Sequence, residues 1–271
     1  MSDRSILDRL PPPPGQLTAY GPAPHQVFEV YGQPHHRWVF LLHGGFWRAK
    51  WDRSHLRPLA AALGEAGYAV ALIEYGRSGM PGGGWPGTFE DVAAALTAVR
   101  EHAQGAQTDQ QEKDAGQGAD TAHEPVRIAL AGHSAGGHLA AWLLHRHEAV
   151  GVTGAISLAG CLDLTMAAEL DLDEGAAVDL MGGPPAEHPD RYAAADPTRL
   201  GASPYPLVVV HGSADERVPL ALSRSWWDRN ATPGQDRLEV LEDVSHFPLI
   251  DPEAPFFPRF KDLLDGLLGA R

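Results

Sequence analysis

The sequence predicts an alternating α/β fold: a mostly parallel sheet with helices packed on both faces. Three observations carry that expectation. Apolar runs of strand length recur as "RWVFLLH" (37–43), "YAVALIEY" (68–75), "VRIALAG" (126–132), "VTGAISLAG" (152–160) and "YPLVVVHG" (205–212). Such uninterrupted runs suit strands buried on both faces, whereas half-exposed strands alternate. Segments with apolar residues at helical spacing separate these runs. The alternation continues along the chain without an internal repeat, so residues 1–271 read as one domain.

Each element follows in order. The stretch through Pro34 is proline-rich, and the prolines at 11–14 favour extended polyproline geometry. "HQVFEVY" (25–31) alternates Val27, Glu29 and Tyr31 against Phe28 and Val30, as an outer strand does. After the buried strand 37–43, Leu56, Leu59, Ala60 and Leu63 recur at helical spacing, with Gly67 placed as a C-terminal cap. Beyond the second buried strand, "TFEDVAAALTAVREHA" (88–103) reads as a helix with Thr88 as N-cap and Asp91 approximating a capping box. Residues 104–124 are polar and glycine-rich with little to bury, so a disordered surface insertion is expected there. The third buried strand leads into the helical "HLAAWLLHRH" (138–147), and strands follow at 152–160, 205–212 and 237–244. A helix after Pro219 carries Trp226 and Trp227, and "PRFKDLLDGLL" (258–268) closes the chain as an amphipathic helix. The segment 162–200 breaks the rhythm and is expected to form a cap or lid over the sheet's C-terminal edge.

Composition narrows the function classes. Lys and Arg number 21 against 35 Asp and Glu, a formal net charge of -14. That balance argues against nucleic acid and against an anionic membrane surface, leaving a small-molecule substrate as the expected partner and a homodimer as an open assembly. The lone cysteine, Cys161, excludes an intramolecular disulfide and fits a reducing compartment. "MSDRSILDRLPPPPG" has no apolar core of a secretory signal, and no stretch reaches membrane-spanning length, so a cytoplasmic location is expected. His35, His36, His138, His145 and His147 lack the H-E-x-x-H spacing, so neither a metal nor an organic cofactor is expected.

The chemistry concentrates in four short stretches. Gly132-His133-Ser134-Ala135-Gly136 is a G-x-S-x-G between a buried strand and a helix. A sharp turn there forces the central residue into a strained backbone, and small neighbours leave it room. A serine hydroxyl is a weak nucleophile without a base, so a histidine and an orienting acid are needed. "HGSADERVP" places Asp215 just past one buried strand, and "SHFP" places His246 just past the next. The order Ser134, Asp215, His246 is the one such a strand–turn–helix serine uses. Glu216 and Asp243 are rival acids, the first a residue further along its loop and the second inside the expected strand 237–244. The fourth stretch, "HGGFW" (43–47), follows the strand at 37–42; its glycines let backbone N–H groups approach a developing oxyanion. Donors are expected from Gly45 and Phe46, with Gly44 a further candidate, together with the N–H of Ala135.

Together, "HGGFW", "GHSAGGHLA", "HGSADERVP" and "SHF" resemble an α/β-hydrolase of the esterase/lipase group. They are particularly similar to the kynurenine formamidase (arylformamidase) branch, whose oxyanion motif reads H-G-G-x-W. "EYGRSGMPGGGWPGTFEDV" (74–92) also resembles a stretch common in bacterial hydrolases of that type. The resemblance covers the chain from about Tyr20 onward, except 104–124 and much of 162–200. It implies the α/β-hydrolase fold and a nucleophile, acid and base at Ser134, Asp215 and His246. It also implies hydrolysis of an ester or formyl amide, N-formylkynurenine being the substrate that branch suggests. Phe46, Trp47 and Trp85 are expected to wall the substrate site, favouring a small acyl group on an aryl-bearing leaving group. A serine peptidase of the prolyl-oligopeptidase type and an inactive hydrolase fold used for binding are the alternatives.

Overall fold

The computed structural model describes residues 5–116 and 124–269. Its strands are β1 (Gln16–Ala19), β2 (Val27–Tyr31), β3 (Arg37–Leu42), β4 (Ala69–Ile73), β5 (Arg127–His133), β6 (Val152–Leu158), β7 (Leu207–Gly212) and β8 (Arg237–Leu241). They form one sheet in the order β1-β2-β4-β3-β5-β6-β7-β8. β2 runs antiparallel to β1 and β4, and every other pairing is parallel. The chain moves from β3 out to β4 and then returns to place β5 on the other side of β3. That reversal makes the C-terminal ends of β3 and β5 a topological switch point, where open α/β sheets leave a crevice for ligands. "HGGFW" and "GHSAG" therefore emerge side by side, with Leu42 registered against Gly132.

Strand periodicity divides the core into two layers. Trp38, Phe40 and Leu42 of β3 face one layer, and Val39 and Leu41 face the other. The first layer is covered by α3 (Gly87–Gly116), α4 (Ala135–Leu143) and α8 (Leu220–Asn230), through Phe89, Leu139 and Trp226 among others. The second lies under α2 (Arg57–Glu65) and α9 (Phe257–Leu268), with Leu59, Leu63, Phe260 and Leu264 buried. All six residues of β3 and of β7 are buried, as their apolar runs require. Among the described residues, no helix is long and apolar enough to cross a membrane.

Several elements differ from the sequence expectation. The proline-rich opening holds a short helix, α1 (Ser5–Asp8), and the edge strand β1. Ile6 of α1 is buried in the second layer, and Arg9 grips Asp251 through two hydrogen bonds of 2.9 and 2.7 Å. α3 does not stop near residue 103. It continues through 104–116, which are helical instead of disordered, while 117–123 lie outside the described residues. The packed first half nucleates the helix, and Gln, Glu, Lys and Ala then extend it at little cost. Thr88 is not the N-cap, because the helix begins at Gly87. Its hydroxyl instead donates to the Gly76 carbonyl at 2.6 Å, and Asp91 accepts from the Gly76 amide at 2.8 Å. β8 ends at Leu241, which leaves Asp243 in a turn and not in a strand. Residues 162–200 fold into α5 (Leu164–Glu169), α6 (Ala176–Met181) and α7 (Pro189–Ala195), whose Leu164, Leu180 and Tyr192 join the first core layer.

α4 meets the end of β3 backbone to backbone. A Cβ added at Gly136 would stand 2.2 Å from the Leu42 carbonyl oxygen and 2.6 Å from that of His43. Gly136→Ala is therefore expected to lower stability by about 3–5 kcal/mol or to prevent folding, since backbone on both sides cannot yield. Urea unfolding of the purified variant checks this, and a midpoint equal to that of the wild type would contradict the close packing.

Candidate active site

Ser134 sits between β5 and α4 with φ 55° and ψ −119°, a conformation that costs a non-glycine residue on the order of 1–3 kcal/mol. The turn is held by its neighbours. The Ser134 amide donates to the Leu158 carbonyl at 2.8 Å, and its own carbonyl accepts from the His138 amide at 3.1 Å. Ala135 opens α4, so its N–H belongs to the first turn, where donors lack intrahelical partners and the helix dipole favours negative charge.

The loops after β7 and β8 bring Asp215 and His246 together, with His246 Nδ1 and Asp215 Oδ2 2.7 Å apart. Asp215 Oδ1 accepts from the amides of Arg217 and Val218, and His211 Nε2 lies 3.4 Å from Oδ2. Burial alone would raise the Asp215 carboxyl, but the hydrogen bonds from His211 and His246 outweigh it and hold it well below the usual carboxylate range. Asp215 is thus an anion placed 2.7 Å from His246 Nδ1, where it is able to accept that ring N–H. Of the rival acids, Asp243 is bound through its amide to the Ser213 hydroxyl at 2.9 Å, and His246 is hydrogen-bonded to Asp215 instead.

The loop after β3 is strained as well. Gly45, Phe46 and Trp47 have φ of 110°, 50° and 53° in succession. A Cβ at Gly45 would meet the Trp51 side chain at 2.4 Å, so only glycine fits. His43 Nδ1 lies 2.8 Å from the Gly44 carbonyl oxygen. In a trans peptide the N–H points opposite to the C=O, so anchoring that carbonyl aims the Gly45 N–H away from His43. Among the described residues, no hydrogen-bond partner takes the N–H of Gly45 or of Phe46. Gly44 plays a different part: its α-carbon packs so close to the elbow that a Cβ would stand 3.0 Å from that of Ser134.

His43 is in turn fixed on every side. Its Nε2 is 3.0 Å from Glu74 Oε1, its ring stacks on Tyr75 at 4.3 Å, and the Tyr75 hydroxyl donates to its carbonyl at 2.7 Å. Burial acts to raise the Glu74 carboxyl, yet His43, Arg77 and the Tyr75 amide bring it down to about 2.

A cavity of about 250 Å³ collects Gly45, Phe46, Ser134 and His246 in its lining. The three aromatic residues expected at the site separate in the structure. Phe46 lines the cavity, but Trp47 is 1% exposed and packs edge-on to His138 inside the core. Trp85 stands with Phe89 and Trp142 beside a separate cavity. The alternating directions of a tight turn explain Trp47: Phe46 points out, so its neighbour points in. The apolar walls come instead from Trp51, Phe247 and Leu7, the last from α1. Phe247 adjoins His246 and could have been found from that position. Leu7 gave no signal, because a proline-rich opening reads as unpacked chain. His55, His133, Lys50 and Arg217 also line it. Burial pushes His55 down to about 4 and His133 well below its ordinary value, so both are neutral near pH 7. From residues 162–200, among the described residues, only Asp173 reaches this cavity.

The crossing of strands at β3 and the serine at the β5–α4 turn define an α/β-hydrolase fold. The chain belongs to the BD-FAE family, whose model matches residues 30–229. It is 27% identical over 250 residues to the probable carboxylic ester hydrolase LipM of Mycobacterium tuberculosis (strain ATCC 25618 / H37Rv), a match covering 86% of this chain and 51% of that protein. Esterase LipQ of the same organism is 27% identical over 197 residues, covering 68% of this chain and 43% of its own. The chain thus spans about half the length of the curated relatives it matches. Among solved structures, a truncated carbohydrate esterase from gut microbiota superposes with a TM-score of 0.72 at 19% identity, covering 95% of this chain and 96% of that one.

The Glu74 carboxylate makes a testable link between site and stability. Its folded-state value of about 2 lies below its ordinary 4.5, so its stabilisation is present above pH 4.5 and is lost as pH falls toward 2. A depression of that size corresponds to at most about 3.5 kcal/mol. Glu74→Gln is expected to be less stable at pH 7 and to lose less stability between pH 4.5 and 2. Denaturant unfolding across that range measures both, and parallel pH curves for the two proteins would refute the assignment.

Proposed function

We propose that this protein is a serine hydrolase that cleaves carboxylic esters through an acyl-enzyme. The observation that carries the reading is the strained Ser134 in one cavity with a histidine whose Nδ1 is bound to a buried carboxylate. Ser134 Oγ attacks the ester carbonyl while His246 Nε2 takes its proton; the imidazolium, steadied by Asp215, returns that proton to the departing alcohol. Water then repeats the cycle on the acyl-enzyme and frees the acid. The N–H groups of Gly45, Phe46 and Ala135 receive the negative oxygen of each tetrahedral intermediate. Cys161 is no rival nucleophile, since burial pushes its thiol up, away from the reactive thiolate. The names of LipM and LipQ, both given to ester hydrolases, support the same reaction class.

A small acyl group fits the reading, because Phe46 stands beside the expected oxyanion donors in a cavity of about 250 Å³. Phe46, Trp51 and Phe247 offer aromatic faces to an aryl leaving group. A second reading, hydrolysis of an aryl formamide, is favoured by the H-G-G-x-W pattern at His43, Gly44, Gly45 and Trp47.

A fluorophosphonate probe is expected to label the wild type at one serine and to leave Ser134→Ala unlabelled. The same substitution should lower kcat by about 10⁶, and Asp215→Asn by about 10⁴. Labelling that persists in Ser134→Ala, or a wild type that takes no label, would overturn the mechanism, the latter in favour of a binding role. Among p-nitrophenyl esters, kcat/KM is expected to fall steeply once the acyl chain passes about four carbons, and Phe46→Ala to relax that fall. A preference for octanoyl esters would contradict the place given to Phe46. An aryl formamide in the same assay separates the second reading from the first.

A further inference from the structure

We propose that the cavity selects esters that carry an anionic group, a carboxylate or its equivalent, away from the scissile bond, and that Arg217 is the specificity-determining residue. This rests on the ester-hydrolase reading above. Two cations, Lys50 and Arg217, line the cavity that holds Ser134 and His246. They do not reflect a basic surface, since the chain carries a formal net charge of -14. The one carboxylate in the lining, Asp173, is already engaged: Arg48 Nε holds its Oδ2 at 2.8 Å, and Lys50 lies 3.6 Å from the same oxygen. Arg217 has no ion-pair partner among the described residues. The remaining ionisable side chains of the wall do not offset it. His55 and His133 are neutral near pH 7, and Asp215, behind His246, has no exposed side-chain surface.

The position of Arg217 is anchored to the catalytic group. Its amide donates to Asp215 Oδ1 at 2.8 Å, so its side chain starts from the loop that orients His246. Apolar Leu7, Phe46, Trp51 and Phe247 share the cavity with it. That arrangement suits a substrate with a hydrocarbon or aryl body, its ester at Ser134 and its charge at the mouth. A guanidinium offers paired donors that match a carboxylate, and a hydrogen bond between charged groups outweighs a neutral one.

The test compares esters of similar size that differ in charge, with the spontaneous hydrolysis of each subtracted. For the alcohol side, 4-acetoxybenzoate is set against its methyl ester; for the acyl side, p-nitrophenyl hydrogen succinate is set against p-nitrophenyl butyrate. The readout is the ratio of kcat/KM for the anionic to the neutral ester, taken within each variant so that general damage cancels. In the wild type that ratio is expected to exceed one in one pair, and the responding pair identifies the side that carries the anion. Arg217→Gln should cut the ratio by about tenfold, mainly through KM, and Arg217→Lys should restore part of it. Ratios at or below one in both pairs, or a ratio unchanged in Arg217→Gln, would overturn the proposal. If no ester of either charge is hydrolysed, the ester-hydrolase reading itself fails.

Discussion

The buried carboxylate of Glu74 is the constraint on which the site most depends. It is 3% exposed, and removing a carboxylate from water costs several kcal/mol unless donors surround it. Here they do: His43 Nε2 and the Tyr75 amide at 3.0 Å, the Arg53 amide and guanidinium at 3.2 Å, and Arg77 at 3.4 Å. Arg53 also reaches Glu29 of β2 at 2.7 Å, and Arg57 meets the same carboxylate. These bonds connect the end of β4, the middle of β2, the 53–57 turn and the loop after β3. The loop conformation follows from them. Phe46 and Trp47 hold positive φ against a cost on the order of 1–3 kcal/mol each, and without fixed surroundings that loop would relax. The carboxylate therefore acts at a distance: it holds His43, which holds the Gly44 carbonyl, which sets the direction of the Gly45 N–H.

The second strained element, the turn at Ser134, is stabilised by packing instead of charge. β5 lies between β3 and β6 in a parallel sheet, and Ser134 hydrogen-bonds to the end of β6 while Gly136 lies against the end of β3. The serine is thus held by the two strands that flank its own. This explains why the motif needs small residues. They permit the helix to descend onto the sheet edge, and that descent brings the β3 loop within contact of Ser134.

Much of this was legible in the sequence, and the parts that were not share a physical cause. Buried strands announce themselves by continuous apolar runs, so β3, β4, β5, β6 and β7 fall where they were expected, and the residues just past their ends were visible as candidates. Ser134 and Asp215 belong to that group, while His246 follows the partly exposed β8; the structure brings Asp215 and His246 into contact. What periodicity cannot show is the direction of a side chain in irregular backbone. Trp47 and Phe46 are neighbours of like chemistry, yet one is core and the other cavity, because successive left-handed residues turn them apart. Leu7 and Trp51 reach the cavity from segments whose local pattern carries no functional mark. Glu74 and His211 were invisible for another reason: each acts by holding a residue that motifs do name, and no spacing rule records that. The helical 104–116 shows the opposite failure, where polarity suggested disorder although propensity and a packed beginning sufficed for helix.

Four histidines lie in or beside the cavity that holds Ser134, and their surroundings differ. His43 has no exposed surface, and its ring nitrogens face the oxygens of Gly44 and Glu74, so its ring is committed to the β3 loop and is absent from the cavity lining. His55 has Nδ1 2.7 Å from the Asp52 carbonyl, and burial disfavours its charged form. His133 is bound through Nε2 to the carbonyl of His246 at 3.1 Å, and burial together with the neighbouring His246 opposes a second positive charge on it. Only His246 combines a place in the cavity lining with a carboxylate on Nδ1. His133 adds a positional role, since its ring lies 4.3 Å from that of His246 and its hydrogen bond fixes the backbone from which the base projects. A residue at the variable position of G-x-S-x-G thereby helps to place His246.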